Sequence, residues 1–241
     1  MTRGSVLAVA AMLGALGAGC SKKVPECNAL IKQLNETSTV MQQQTGSLGT
    51  DSKSIKENLD KLASTTKTET EKLAKVELTL PELQGFSKSY QSLLGEIMKA
   101  SSSLAEATGN SMSIEESVTK NRSEWLKASS DLRVACIKAR KECQKLGDKV
   151  SNPPLVTGLN PEMDAKKLDE YKQSIASVEV KNADVKAAVE TIKTNIDTFA
   201  STMRKYAEVK QATEAARKGM ADAAGKEPAL VKNINDFCQA S

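Results

Sequence analysis

The amino-acid sequence predicts an all-α protein, an elongated antiparallel bundle of long helices with coiled-coil packing. Apolar residues recur at alternating spacings of three and four over long stretches, as they do along a coiled-coil seam. Aromatic residues make up 3% of the 241-residue chain, and it has only 13 Gly and 6 Pro. This composition favours helices over a thick globular core. The segments that contain Pro and Gly fall between the periodic stretches, where they would end helices.

Three seams predict three long helices, over residues 25–79, 81–150 and 162–224. The third is the most regular and runs through Leu168, Tyr171, Ile175, Val178, Asn182, Val185, Val189, Ile192, Ile196, Phe199, Met203 and Tyr206. The second includes Leu83, Tyr90, Leu104, Trp125, Leu132, Cys136, Cys143, Leu146 and Val150, and its lone tryptophan is expected in the core. The first seam is weaker. It begins with Cys27, Leu30 and Leu34 and ends with Leu73, Val76 and Leu80, and residues 65–70 between these two groups are polar. A short helix over 228–238 completes the prediction.

Breaks between the seams decide how many helices form. Pro81 suits the first turn of a new helix, the 151–161 segment is the clearest loop, and the 225–228 segment is a third stop. Two weaker breaks, at 46–49 and 108–110, are each consistent with a hairpin or a kink. The phase of the seam carries through both, which favours kinks and three long helices. Five or six shorter helices remain an open alternative.

The first twenty residues are of a different kind. Arg3 is followed by a small and apolar run from Val6 to Gly19, then by Cys20 and the polar residues 21–23. The run is about 14 residues, too short for the roughly 20 that span a bilayer, and its charged start and small-residue end are typical of a cleavable signal. We therefore expect a signal peptide at 1–19, a tether at 20–24 and one helical-bundle domain at 25–241.

The segment Leu16-Gly17-Ala18-Gly19-Cys20 resembles the lipobox of bacterial lipoproteins. The resemblance implies that the signal is cut before Cys20 and that Cys20 is acylated with fatty acids such as palmitate. It further implies more than one acyl chain, which is enough for stable membrane attachment. Ser21 replaces the Asp that retains such proteins at the inner membrane, so we expect the outer membrane, with the helical domain in the periplasm. The alternative is a secreted protein with an incidental cysteine at position 20.

Four cysteines follow the leader, and an even number in an exported chain predicts disulfide bonds among Cys27, Cys136, Cys143 and Cys238. In a continuous helix over 81–150, Cys136 and Cys143 lie about 10 Å apart, beyond the usual Cα limit of about 7 Å. We therefore do not expect them to pair. A hairpin that turns near residue 80 places Cys27 level with Cys136, which favours a bond from Cys27 to Cys136 or Cys143. Cys238 would take the remaining cysteine, but a chain that turns back at Gly225 leaves it distant, and the sequence does not settle this pairing.

Composition excludes several function classes. The chain has no histidine, which removes histidine general bases, Ser-His and Cys-His nucleophile systems, and histidine-ligated metal sites. It has no phosphate-binding Gly-rich loop, no calcium-loop pattern and no close pair of cysteines of the kind that binds zinc. The net charge of +4 falls to +3 when the leader with Arg3 is removed, too small for nucleic-acid binding. We expect no enzyme activity, catalytic residue, metal or cofactor.

The expected function is a structural or protein-interaction role at the bacterial cell envelope. The lipid on Cys20 would contact the membrane, Lys22 and Lys23 could add attraction to anionic headgroups, and the protein partners would be other envelope proteins. A second hypothesis is a helical binding module or carrier for an amphiphile or lipid. A large apolar cavity within the seams would favour the carrier, and a solid core would favour the scaffold.

Overall fold

A computed structural model describes residues 22–46, 49–139 and 143–240. In these ranges the chain forms helices and no strand, which confirms the predicted all-α class. The helices are α1 Lys23–Gly46, α2 Ser52–Ala74, α3 Pro81–Lys138, α4 Gln144–Ser151, α5 Pro161–Ala176 and α6 Ala183–Gln239. None of the helices in this part of the chain has the length and apolar character that a bilayer-spanning segment needs. The expected signal peptide and Cys20 lie outside the described residues.

The helices form two compact units. The first unit comprises the chain up to Gly109 and again from Thr213 onward, and the second comprises Asn110 to Ala212. Helices α3 and α6 contribute residues to both units. Each unit buries apolar clusters of its own, as expected for helical bundles, while the elongated form inferred from the seams stays a prediction.

In the first unit, α1 and α2 pack together as a hairpin. The Thr37 hydroxyl lies 3.1 Å from the Glu69 carboxylate and the Thr66 hydroxyl lies 3.4 Å from the Met41 sulfur, so the two helices run in opposite directions. Their apolar faces close the core together with α3 and α6. The larger of its two clusters contains Cys27, Leu30, Leu34, Leu73, Leu83, Tyr90, Leu93, Leu94, Ala223 and Ile234.

Of the two weaker breaks in the sequence, the one at 46–49 ends a helix and the one at 108–110 does not. Helix α1 ends at Gly46, and Asp51 starts α2 as its N-cap by accepting a hydrogen bond from the Ser54 backbone N–H at 3.0 Å. The predicted helix over 25–79 is therefore wrong, and the 46–49 break is a hairpin. Helix α3, in contrast, continues through Gly109 without interruption.

The predicted helix over 162–224 is interrupted. Helix α5 ends at Ala176, and Asn182 starts α6 by accepting hydrogen bonds from the backbone N–H groups of Asp184 and Val185 at 3.0 and 3.2 Å. Asn182 occupies a position of the predicted buried seam, but its side chain acts as a helix cap. The three-helix layout is therefore wrong. The described residues form six helices, a number that the alternative allowed, but α3 and α6 remain long at 58 and 57 residues.

The prediction of a separate C-terminal helix over 228–238 is also wrong, because α6 continues through Pro228 to Gln239. A proline inside a helix removes one backbone hydrogen bond and costs about 3 kcal/mol. Tertiary contacts hold this segment in place: Ile234 is buried in the core of the first unit, and the Tyr90 hydroxyl lies 2.6 Å from the Glu227 carboxylate. The chain therefore does not turn back at Gly225.

Disulfide bonds form as expected, but between different partners. Cys27 bonds Cys238 with a Cα separation of 5.8 Å, and Cys136 bonds Cys143 with a Cα separation of 5.3 Å. The prediction of a bond from Cys27 to Cys136 or Cys143 is wrong. It assumed one helix over 81–150, whereas α3 ends at Lys138 before Cys143 is reached, so the distance along a continuous helix does not apply.

The second unit is built around Trp125, which is 3% exposed and confirms its predicted place in the core. Its ring lies 6.2 Å from that of Tyr171 and 5.9 Å from that of Phe199, so one side chain joins α3, α5 and α6. A buried hydrogen bond from the Asn121 amide to the Thr202 hydroxyl, at 2.7 Å, adds a polar link between α3 and α6.

The loop between α4 and α5 falls where the Pro- and Gly-containing segment predicts it. The buried Asp164 carboxylate accepts hydrogen bonds from the backbone N–H groups of Thr157 and Gly158 at 3.0 and 2.7 Å. Gly158 has a φ of 75°, a left-handed conformation that glycine adopts without strain. Asn160 then caps α5 by accepting from the Met163 N–H at 3.1 Å.

Removal of the Cys27–Cys238 bond should destabilise the protein more than removal of the Cys136–Cys143 bond. The bonds join residues 211 and 7 positions apart, and the chain-entropy model assigns such loops about 5 and about 2 kcal/mol. We expect Cys27→Ser/Cys238→Ser to lower the urea midpoint, followed by circular dichroism, more than the matched control Cys136→Ser/Cys143→Ser does. An equal or larger loss in the control would contradict this assignment.

Candidate functional site

The first candidate site is the terminal junction, which we define as Lys23, Cys27, Phe237, Cys238 and Ala240. Here the start of α1 meets the end of α6 in the first unit. In addition to the disulfide bond, the Lys23 ammonium donates a hydrogen bond to the Ala240 carbonyl and lies 4.7 Å from the centroid of the Phe237 ring. A covalent bond, a charge-assisted hydrogen bond and a cation–π contact thus hold the two helix ends together.

Glu26 ties the same end of α1 to the segment that leads into α3. Its carboxylate accepts hydrogen bonds from the Thr79 hydroxyl and from the backbone N–H groups of Thr79 and Leu80, the latter two at 2.8 and 3.0 Å. The Thr79 hydroxyl makes the largest contribution to lowering the pKa of Glu26, followed by the Leu80 N–H, because these bonds favour the charged form. Phe86 of α3 then contacts Phe237 edge-on at 5.8 Å.

The terminal junction is close to the predicted acylation site in sequence. Cys20 lies outside the described residues, and Ser21 alone separates it from Lys22. Because consecutive Cα atoms are 3.8 Å apart, the Cys20 Cα lies within about 8 Å of the Lys22 Cα. A lipid on Cys20 would therefore attach within two residues of the first described residue.

Buried acidic residues in the described part make structural contacts. The Glu69 carboxylate is paired with the Lys72 ammonium at 2.7 Å and bonds Thr37, and Asp164 organises the loop before α5. Across residues 22–46, 49–139 and 143–240, no group of three or more Cys, Asp or Glu could hold a metal ion.

A shallow groove of about 410 Å³ lies on the second unit. Its lining residues are Asn160, Glu162, Met163, Ala165, Lys166, Asp169 and Arg204. Asp169 forms an ion pair with Arg204, and Lys166 lies 4.0 Å from Glu170. The groove is open to solvent, so it does not enclose an acyl chain as the binding cavity of an amphiphile carrier would.

The second candidate site is an exposed apolar face of α3 in the second unit. Leu126, Val134 and Ile137 are 53%, 50% and 67% exposed. At 3.6 residues per turn these three side chains fall within an arc of about 80°, on a side of the helix away from the buried Trp125 and Leu132. We call this face the α3 stripe; it also contains the exposed polar residues Thr119, Ser123 and Ser130.

Basic side chains flank the α3 stripe on both edges. Helical geometry places the exposed Arg122 and Arg133 along one edge of the stripe. It places the exposed Lys127 and Lys138 along the other edge, which we call the lysine edge. The acidic residues between positions 119 and 138 are Glu124 and Asp131, and both lie beyond the lysine edge. Between positions 119 and 138, the stripe and its borders on α3 therefore contain basic residues and no acidic ones.

The α3 stripe is not among the seams predicted from the sequence, although the sequence contains a signal for it. Positions 119, 123, 126, 130, 134 and 137 follow spacings of three and four, as the seam through Trp125 does. Hydroxyl residues at three of the six positions weaken the pattern.

No model of a known protein family matches the chain, and no curated protein and no solved structure matches it.

Replacement of Glu26 by Gln should lower the free energy of unfolding near neutral pH but not in acid. The lowered folded-state pKa means that the carboxylate stabilises the fold above its ordinary value of about 4.3. This stabilisation is lost as pH falls through the folded-state pKa. We expect the difference between wild type and Glu26→Gln, measured by urea unfolding from pH 7 to pH 3, to shrink towards zero.

The matched control is Glu71→Gln, which changes an exposed acid on α2 of the same unit. It should not reproduce this pH dependence. A difference between wild type and Glu26→Gln that is constant over the whole pH range would show that the charge of Glu26 does not stabilise the fold.

Proposed function

We propose that this chain is a lipid-anchored protein of the bacterial cell envelope with a structural or protein-interaction role. Acylated Cys20 holds the mature chain on the outer membrane, and the helical units present surfaces to other envelope proteins. The observation that carries the proposal is the terminal junction, because α1 begins at Lys23, three positions after the predicted acylation site.

The terminal junction gives the anchor a mechanical consequence. A long flexible linker would let a domain move freely above a membrane, whereas Cys20 stands three positions before Lys23, the first residue of α1. The start of α1 is fixed to α6 by the Cys27–Cys238 bond and to Ala240 by Lys23. The lipid therefore holds the first unit at the membrane surface.

The two lysines after Cys20 have different environments. Lys22 is exposed and is available to anionic headgroups, an attraction of about 1 kcal/mol for each basic residue near the surface. Lys23 is engaged by Ala240 and the Phe237 ring. We therefore propose that Lys22 binds anionic headgroups and that Lys23 stabilises the terminal junction.

The packing supports the interaction role over the carrier. Apolar residues of α3, α5 and α6 close on one another in the second unit, with Leu132, Ile192 and Phe199 among those with no exposed surface. The groove on the same unit is shallow and open to solvent, so it does not enclose a ligand. The α3 stripe supplies the exposed surface that a protein partner requires.

Substitution of Cys20 by Ala should abolish lipid attachment. In cells that express the full chain and are fed an alkyne-tagged palmitate, we expect the wild-type protein to take up the tag and to sediment with outer membranes. Cys20→Ala should take up no tag and should not be processed at the lipobox. Cys136→Ala, the matched control, retains Cys20 and should be tagged as the wild type is. Tagging of Cys20→Ala, or an untagged wild type, would contradict the proposal.

A further inference from the structure

We propose that the α3 stripe binds an amphipathic helix of a partner protein whose apolar seam is flanked by acidic residues. This inference rests on the protein-interaction role proposed above and specifies the class of partner.

The spacing of the stripe fits a helix. Its positions, from Thr119 to Ile137, are separated by three or four residues, and such spacings keep one side of a helix against another helix. The stripe extends about 27 Å along α3, close to three heptads. Its small residues, Ser123 before Leu126 and Ser130 between Leu126 and Val134, let a facing helix approach closely at these positions.

The apolar side chains supply the contact surface. Leu126, Val134 and Ile137 are each at least half exposed, although residues of this kind are usually inside a protein. Each would bury most of its side chain against an apolar seam.

The charges specify the partner. In a pair of helices the residues that border the seam face those of the other helix and decide which partners are accepted. Both borders of the α3 stripe are basic, with Arg122 and Lys127 facing each other across Leu126. A helix with glutamate or aspartate at its borders is therefore complementary.

The same charges disfavour a second copy of this chain, because two identical stripes would bring basic borders together. An anionic bilayer surface fits the charge, but the stripe lacks the aromatic residues and the continuous wide apolar face of membrane-surface helices. The observations therefore favour a helix over a lipid surface.

The test uses the mature, oxidised chain with Cys20→Ser and a synthetic 21-residue helical peptide as the probe. The probe has leucines along its seam and glutamates at its borders, and the control peptide has lysines in place of the glutamates. We expect fluorescence anisotropy to detect binding of the acidic peptide and not of the basic one. Binding should weaken several-fold between about 50 and 500 mM salt, because the border charges are screened.

Substitutions locate the binding surface. Leu126→Ser/Ile137→Ser and Arg122→Glu/Lys127→Glu should each weaken binding of the acidic peptide by about tenfold or more. Arg217→Glu/Lys218→Glu, which reverses two exposed charges of α6 in the first unit, should leave affinity within about twofold of wild type. Circular dichroism checks that each variant retains its helices.

Three results would overturn the inference: no binding of the acidic peptide, equal binding of both peptides, or binding that the stripe substitutions do not change. Binding to phosphatidylglycerol vesicles that the stripe substitutions abolish, without peptide binding, would overturn it in favour of a lipid surface. The assay uses a chain without acyl groups, so its failure leaves the Cys20 labelling result unchanged. Conversely, an untagged wild type would remove the anchor and leave the peptide result standing.

Discussion

The bond between Cys27 and Cys238 is the constraint on which the first unit depends. It joins α1 to α6 across 211 positions, and α6 reaches Cys27 by continuing as one helix beyond Pro228 to Gln239. Closure of so long a loop lowers the entropy of the unfolded chain, which helps to offset the backbone hydrogen bond that the proline removes. Lys23 and Phe237 meet because the same bond holds their helix ends together.

The two candidate sites belong to different units. The terminal junction lies in the first unit, next in sequence to the predicted lipid on Cys20, and consists of contacts that fix the chain ends. The α3 stripe lies in the second unit and consists of apolar side chains that the fold leaves exposed. Attachment and recognition are thus assigned to separate parts of the chain, so substitutions can test each without changing the other.

Periodicity predicts which residues are buried better than it predicts where helices end. Trp125, Leu132, Ile192 and Phe199 are buried as their seams require, because hydrophobic burial acts on every turn of a helix. Helix ends depend on single caps worth about 1 kcal/mol. Asn182 suits both a seam position and an N-cap, so the sequence pattern does not reveal that α6 begins there. The error in disulfide pairing followed from the assumed continuity between Cys136 and Cys143. The α3 stripe could not be ranked against the buried seam, because tertiary packing alone decides which face of a helix is covered.

Non-reducing peptide mapping of the exported mature protein by mass spectrometry tests the central constraint most directly. Basic residues between Cys136 and Cys143 allow trypsin to separate these two cysteines, so each pairing gives a distinct product. The structure predicts a peptide with Cys27 joined to one with Cys238, and a peptide with Cys136 joined to one with Cys143. A bond from Cys27 to Cys136 or Cys143, or four free thiols, would contradict it.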